Sequence, residues 1–214
     1  MPSELIYTDG ACSGNGTNKA TGGFGMFIAK STLSPSPLKI NRKGEHMDHN
    51  SETFYVTNIR MEGLAIVSTL ALYANAFVLN TEETDILKRL NSQISLNAKD
   101  LKISYGSNEL KVSHPTKKIT IEIVTDSLFW INVVEKWMPS WIRKGIVLEK
   151  KNPDILLMLI YYNELLKQNG INVVLTHVKS HQKGKRTAHA DGNDVADVLA
   201  TSSVTNKTKQ FYLN

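Results

Sequence analysis

The sequence predicts an α/β fold built on a mixed five-stranded sheet flanked by helices, with an inserted helix and hairpin at the sheet's edge. Three observations carry that expectation. Two apolar runs at the start are joined by a glycine-rich bend, a long apolar helix pattern begins at Arg60, and strand and helix patterns then alternate from Ile119 onward. Residues 3–9 read as the first strand, bending at Gly10, Gly14 and Gly16, and Gly22 to Ile28 restart as the second. Pro35 and Pro37 interrupt the chain before a third strand within 38–56. From Arg60 to Ala74 a broad apolar face of helix formers predicts about four turns.

Residues 80–118 predict a short amphipathic helix and a hairpin turning at Gly106-Ser107-Asn108. Sixty-four positions separate Glu62 from Asp126, more than one helix and one loop require, so the segment should carry structure of its own. Ile119 to Val124 form the clearest strand and run into Thr125-Asp126-Ser127, where Asp or Ser can cap a helix over 127–137. A helix over 153–168, a strand over 171–178 and a helix over 191–202 complete the series. Residues 1–203 are expected to form one domain, followed by a tail at 204–214.

At 214 residues and 23.9 kDa, one domain can bury about 70% of its unfolded surface without staples. The single cysteine, Cys12, excludes an internal disulfide and a zinc site built on a cysteine pair. No signal peptide or run of some 18 apolar residues is evident, which leads us to expect a cytoplasmic or nucleic-acid-containing compartment and no membrane. The net charge of +5 invites an anionic partner. Basic residues gather at 136–151 and again at 176–191, where His177, His181 and His189 are interleaved.

Four acids are hard to place on structural grounds: Asp9 and Asp126 at apolar strand ends, Glu62 at a helix start, and Asp197 in the last helix. Singly, each has a plain explanation as a cap, a turn residue or an exposed helix position. Together with their neighbours they match something specific. The blocks Ile6 to Cys12, Gly22 to Gly25, Thr57 to Glu62, Val124 to Ser127, Val178 to His181 and Gly192 to Ala200 resemble, in order, the motifs of type 1 ribonuclease H.

That resemblance implies a ribonuclease H-like fold and an endonuclease that cuts the RNA strand of an RNA–DNA hybrid, leaving 3′-hydroxyl and 5′-phosphate ends. By motif position Asp9, Glu62, Asp126 and Asp197 would hold two Mg²⁺ ions, with Mn²⁺ as a substitute, and Asp9 would bridge both. Clustered carboxylates repel unless a cation compensates them, and hard oxygen donors suit these metals. His181 matches the family's mobile-loop histidine, though it stands 16 positions before Asp197 while His189 stands only eight before it.

The resemblance assigns hybrid contacts to Cys12, Gly14, Asn15, Thr57 and Asn58, with Thr57 at a DNA-phosphate contact. Lys136 to Gly145 resembles a basic protrusion, in which Trp137 and Lys144 would touch the hybrid and Trp141 would join the core. Leu128 departs from the pattern, since a polar residue often follows the Asp-Ser pair. Lysines of the insertion, such as Lys99, Lys102 and Lys111, either extend the hybrid surface or solubilise it.

Three alternatives stay open: a non-catalytic hybrid-binding module, another nuclease of the same fold, and a detached retroelement domain. The protrusion and the complete start favour a stand-alone enzyme, with a monomer as the default oligomeric state.

Overall fold

The computed structural model describes residues 4–44, 47–49, 52–79, 119–180 and 187–204. The inserted helix and hairpin expected at 80–118 lie outside the described residues, as does His181, and of the tail only Val204 is described. The chain forms β1 (Glu4–Ser13), β2 (Thr21–Lys30), β3 (Leu38–Gly44), a small hairpin of β4 (Met47–His49) and β5 (Glu52–Phe54), and α1 (Asn58–Ala74), which runs on into a π turn, Asn75–Leu79. Then come β6 (Ile119–Thr125), α2 (Leu128–Asn132), a π turn at Val133–Trp137, α3 (Met138–Lys144), α4 (Pro153–Gln168), β7 (Ile171–His177) and α5 (Ala188–Val204).

The expected mixed five-stranded sheet is present, in the order β3-β2-β1-β6-β7. β1 is central, antiparallel to β2 and parallel to β6. Because β6 and β7 continue the parallel half, their ends line up at one edge. Ligand chemistry in open α/β sheets gathers at such strand ends.

Several boundaries depart from the sequence reading. β1 extends to Ser13, so Asp9 stands within a strand rather than at its end. The continuing ladder with β2, in which Asp9 faces Gly25, outweighs the glycine signal at Gly10. The helix expected over 127–137 runs in three pieces to Lys144, because Pro139 falls in the first turn of α3, where its missing N–H is tolerated. Gly145 then stops it at φ 67°, a left-handed conformation that glycine adopts without a Cβ clash. The last helix spans Ala188–Val204 rather than 191–202.

One face of the sheet packs Ile6, Ile28, Ile121 and Ile123 against Met61, Ile66 and Tyr73 of α1 and Leu156 and Tyr162 of α4. On the other face α5 covers Tyr7 and Val124. Asn58–Val78 is long and apolar enough to cross a membrane, yet 67% of its apolar 18-residue stretch is buried within the fold, as expected of a core helix. Arg60, 4% exposed, ties the start of α1 to that of α4 through paired bonds to Asp154 (2.7 and 3.0 Å) and a third to Asn152 (3.0 Å).

Candidate active site

Register alone brings the first two acids together. Thr8 pairs with Thr125 in the parallel β1–β6 ladder, so the next residues, Asp9 and Asp126, leave it side by side. Glu62 reaches them from the second turn of α1, which can lie over β1 because Gly10 has no side chain; a Cβ there would strike the backbone of Met61 and Glu62. The same device brings Asp197. Gly25, opposite Asp9, leaves room for α5, and a Cβ on it would strike the carbonyl of Ala196, the residue before Asp197. Two glycine positions thus let helices on opposite faces converge on Asp9 within the central strand.

The field at this point is strongly negative. Asp9 is buried, and burial together with the charges of Asp126, Asp197 and Glu62 pushes its pKa up to about 8, against a single opposing bond from the Gly10 N–H at 2.7 Å. Burial also raises Glu62, offset by hydrogen bonds from Ser127 and Asn58, with Asp126 raising it further. Asp126 is raised chiefly by burial and also by Asp197, while the Asn193 side chain and His177 pull the other way. The charges acting on Asp9 are all negative. Such an arrangement is unfavourable until positive charge arrives.

The hydrogen bonds show how the carboxylates are held. Asn58 Nδ2 donates to Glu62 Oε1 at 2.7 Å, and Ser127 Oγ donates to Oε2 at 2.6 Å. Thr201 Oγ1 donates to Asp197 Oδ1 at 3.3 Å. Ser127 stands at the N-cap of α2 but makes no capping bond with its side chain. A serine cap is worth about 1 kcal/mol, and here its hydroxyl goes to Glu62 instead.

The donor set suits a hard divalent cation, being all carboxylate oxygen, partly buried and electrostatically uncompensated. Among the described residues no three Asp, Glu, His or Cys side chains already close on a single ion position. Both oxygens of Glu62 and one of Asp9 accept a bond from a protein donor and keep a further lone pair for an ion.

The other expected contact residues fall in two places. Cys12, Gly14 and Asn15 lie at the end of β1 and in the bend after it, with Gly14 at φ 68°. Cys12 Sγ sits 3.6 Å from the Val56 carbonyl, and Asn15 Oδ1 accepts from the Asn58 backbone N–H at 2.9 Å, so bend and helix start form one rim. Thr57 caps α1, accepting from the Arg60 N–H at 3.1 Å. Trp137 and Lys144 belong to the second place, the π turn and α3. Trp137 is exposed, with its ring against Phe129 and Trp141, whereas Trp141 packs on the core and under Lys150.

His189 meets the Tyr7 hydroxyl at 3.2 Å through Nδ1, with its ring beside the tyrosine. Two roles go beyond the sequence reading: Asn193, inside the block Gly192 to Ala200, bonds to Asp126, and Ser127, read as a cap, bonds to Glu62. For Asn193 the four-residue spacing to Asp197 was a usable signal; for Ser127 none existed, because the partner lies 65 positions away.

Comparison with known proteins agrees with this architecture. The sequence model of the family described as RNase H matches residues 73–205, a stretch that includes Asp126 and Asp197. The Pro-Pol polyprotein of simian foamy virus type 1 is 33% identical over 81 residues, 37% of this chain and 7% of that protein. The chain therefore corresponds to a small fraction of that relative's length, and the relative is a polyprotein rather than a stand-alone enzyme.

Among solved structures, the protease-reverse transcriptase of prototype foamy virus superposes with a TM-score of 0.58 at 18% identity, covering 96% of this chain and 21% of that one. LC11-RNase H1, solved in complex with RNA/DNA hybrid, superposes with a TM-score of 0.51 at 14% identity, covering 94% and 96%. These two likenesses show the fold. With more than half of the sequence matched by the family model and the five-stranded sheet in place, the chain belongs to the RNase H family.

Proposed function

We propose that the chain is an endonuclease that hydrolyses the RNA strand of RNA–DNA hybrids with the help of two divalent cations, leaving 3′-hydroxyl and 5′-phosphate ends. The observation that carries this reading is the convergence of Asp9, Glu62, Asp126 and Asp197, from four separate elements, into one uncompensated negative site. Mg²⁺, or Mn²⁺ in its place, would supply there the activation of a water and the stabilisation of the leaving 3′-oxygen.

The chain's own residues do the rest. Asp9, buried and acted on by the other three acids, would hold the cations together with Glu62, Asp126 and Asp197. Asn193 and Ser127 fix the directions of Asp126 and Glu62. The rim of Cys12, Gly14, Asn15, Thr57 and Asn58 faces the sugars and phosphates of the hybrid, and Trp137 with Lys144 extends the contact by stacking and charge. His181 assists the water or the release of product. The hybrid is thereby told from duplex DNA by its 2′-hydroxyls.

The test is cleavage of a labelled RNA–DNA hybrid in Mg²⁺ and in Mn²⁺, beside duplex DNA and duplex RNA. RNA-strand cutting confined to the hybrid is the expected result. Hybrid binding that persists in chelator, with no cutting in either metal, would make the protein a binding module instead.

A further inference from the structure

Glu62 is held from both sides, and the two holders belong to different parts of the site. Asn58 Nδ2 takes Oε1 at 2.7 Å from one turn earlier on α1, and the Asn58 backbone N–H at the same time donates to Asn15 Oδ1 at 2.9 Å, in the glycine-rich bend. Ser127 Oγ takes Oε2 at 2.6 Å from the residue after Asp126. Ser127 is 5% exposed, and its side chain leaves its own helix uncapped to make this bond. Its backbone is fixed independently by a bond from its N–H to Thr125 Oγ1 at 3.2 Å. A hydroxyl that forgoes the nearby cap for a carboxylate 65 positions away is placed for that carboxylate.

We propose that Ser127 is a positioning residue. With Asn58 it clamps Glu62 so that the carboxylate stands aimed beside Asp126 before a divalent cation binds. The inference rests on the proposed role of Glu62 as a cation ligand. Without the Ser127 hydroxyl, Oε2 loses its donor and the long side chain regains rotamers that point it away from Asp126, so the ion must order the ligand as it binds.

The experiment is Mn²⁺ uptake by the whole chain without nucleic acid, read as free Mn²⁺ by electron paramagnetic resonance, for wild type, Ser127→Ala, Ser127→Thr and Asn58→Ala. Circular dichroism melts in chelator run alongside. Ser127→Ala should weaken Mn²⁺ binding about tenfold, the low end of the range for partners that orient metal ligands. Ser127→Thr, which keeps the hydroxyl, should stay within about twofold of wild type, and Asn58→Ala should weaken binding about as much as Ser127→Ala. Equal Mn²⁺ affinity in folded wild type and Ser127→Ala would overturn the clamp while leaving the nuclease reading in place. Should Ser127→Ala melt early, the threonine and Asn58→Ala variants decide, and unchanged binding in Asn58→Ala overturns the clamp. No Mn²⁺ uptake by folded wild type would overturn the cation reading and the clamp with it.

Discussion

β1 carries two buried carboxylates five residues apart, and the chain treats them in opposite ways. Glu4, with no exposed surface, receives the Thr32 backbone N–H on both oxygens at 3.0 and 3.1 Å and the Thr32 hydroxyl at 2.6 Å. Asp9, 7% exposed, receives one N–H, from its neighbour Gly10, and faces three further acids. Buried acids are normally satisfied by the protein, as Glu4 is. The unsatisfied one marks where the fold depends on something from outside, and it stands where both faces of the sheet deliver a carboxylate.

The largest expected effect lies at the active end. Asp126→Asn should lower hybrid cleavage by roughly 10³-fold or more while the fold persists, measured as initial rates in Mg²⁺. Loss of less than about tenfold would remove Asp126 from the cation site.

Stability should separate the two acids by sign. Glu4→Ala removes a buried acceptor from two donors of the exposed Thr32, which can turn to water, and should cost about 1–2 kcal/mol in chemical denaturation. Asp9→Asn should do the reverse in the cation-free protein. An unfolded Asp ionises near pH 4, whereas Asp9 in the fold keeps its proton up to about 8. Its penalty is therefore absent below pH 4 and grows as the pH rises toward 8, and the amide escapes it. At pH 7 the variant should be more stable by on the order of 4 kcal/mol, about 1.4 kcal/mol for each of the roughly three pH units above 4, with the difference vanishing below pH 4. Destabilisation by both substitutions would break the comparison.

Smaller effects belong to the outer surface. Trp137→Ala and Lys144→Ala should weaken hybrid binding about fivefold each; Lys144→Ala should leave thermal stability unaltered, since that residue is exposed, whereas Trp137→Ala also loses ring contacts with Phe129 and Trp141 and should melt slightly earlier. Lys144→Ala should also reduce the slope of log affinity against log salt by about 0.9, if it neutralises one phosphate.

The sequence made the sheet and the four acids legible because strand patterns are local and the motif blocks keep their order. Helix 153–168 was read to the residue, since Pro153 opens it and Asn169-Gly170 closes it. What stayed hidden depends on contacts between distant segments. Nothing local shows that β1 continues past Gly10, because that is decided by its ladder with β2. The helix expected to end at 137 goes on through Pro139, because the π turn before it places that proline at a helix start. Ser127 reads as a cap, and the Arg60–Asp154 pair spans 94 positions. The family resemblance located the acids, but only the fold shows that Asp9 lacks what Glu4 has.

The most direct test of that difference is the proton released when Mg²⁺ or Mn²⁺ binds. It is measured by titration calorimetry at pH 7 in buffers of different ionisation enthalpy, with Asp9→Asn as control. A carboxyl that keeps its proton up to about 8 must give it up to take a cation, so wild type should release about one proton and the variant markedly less. Cation binding by the wild type with no proton release would contradict an uncompensated Asp9 at the centre of the site.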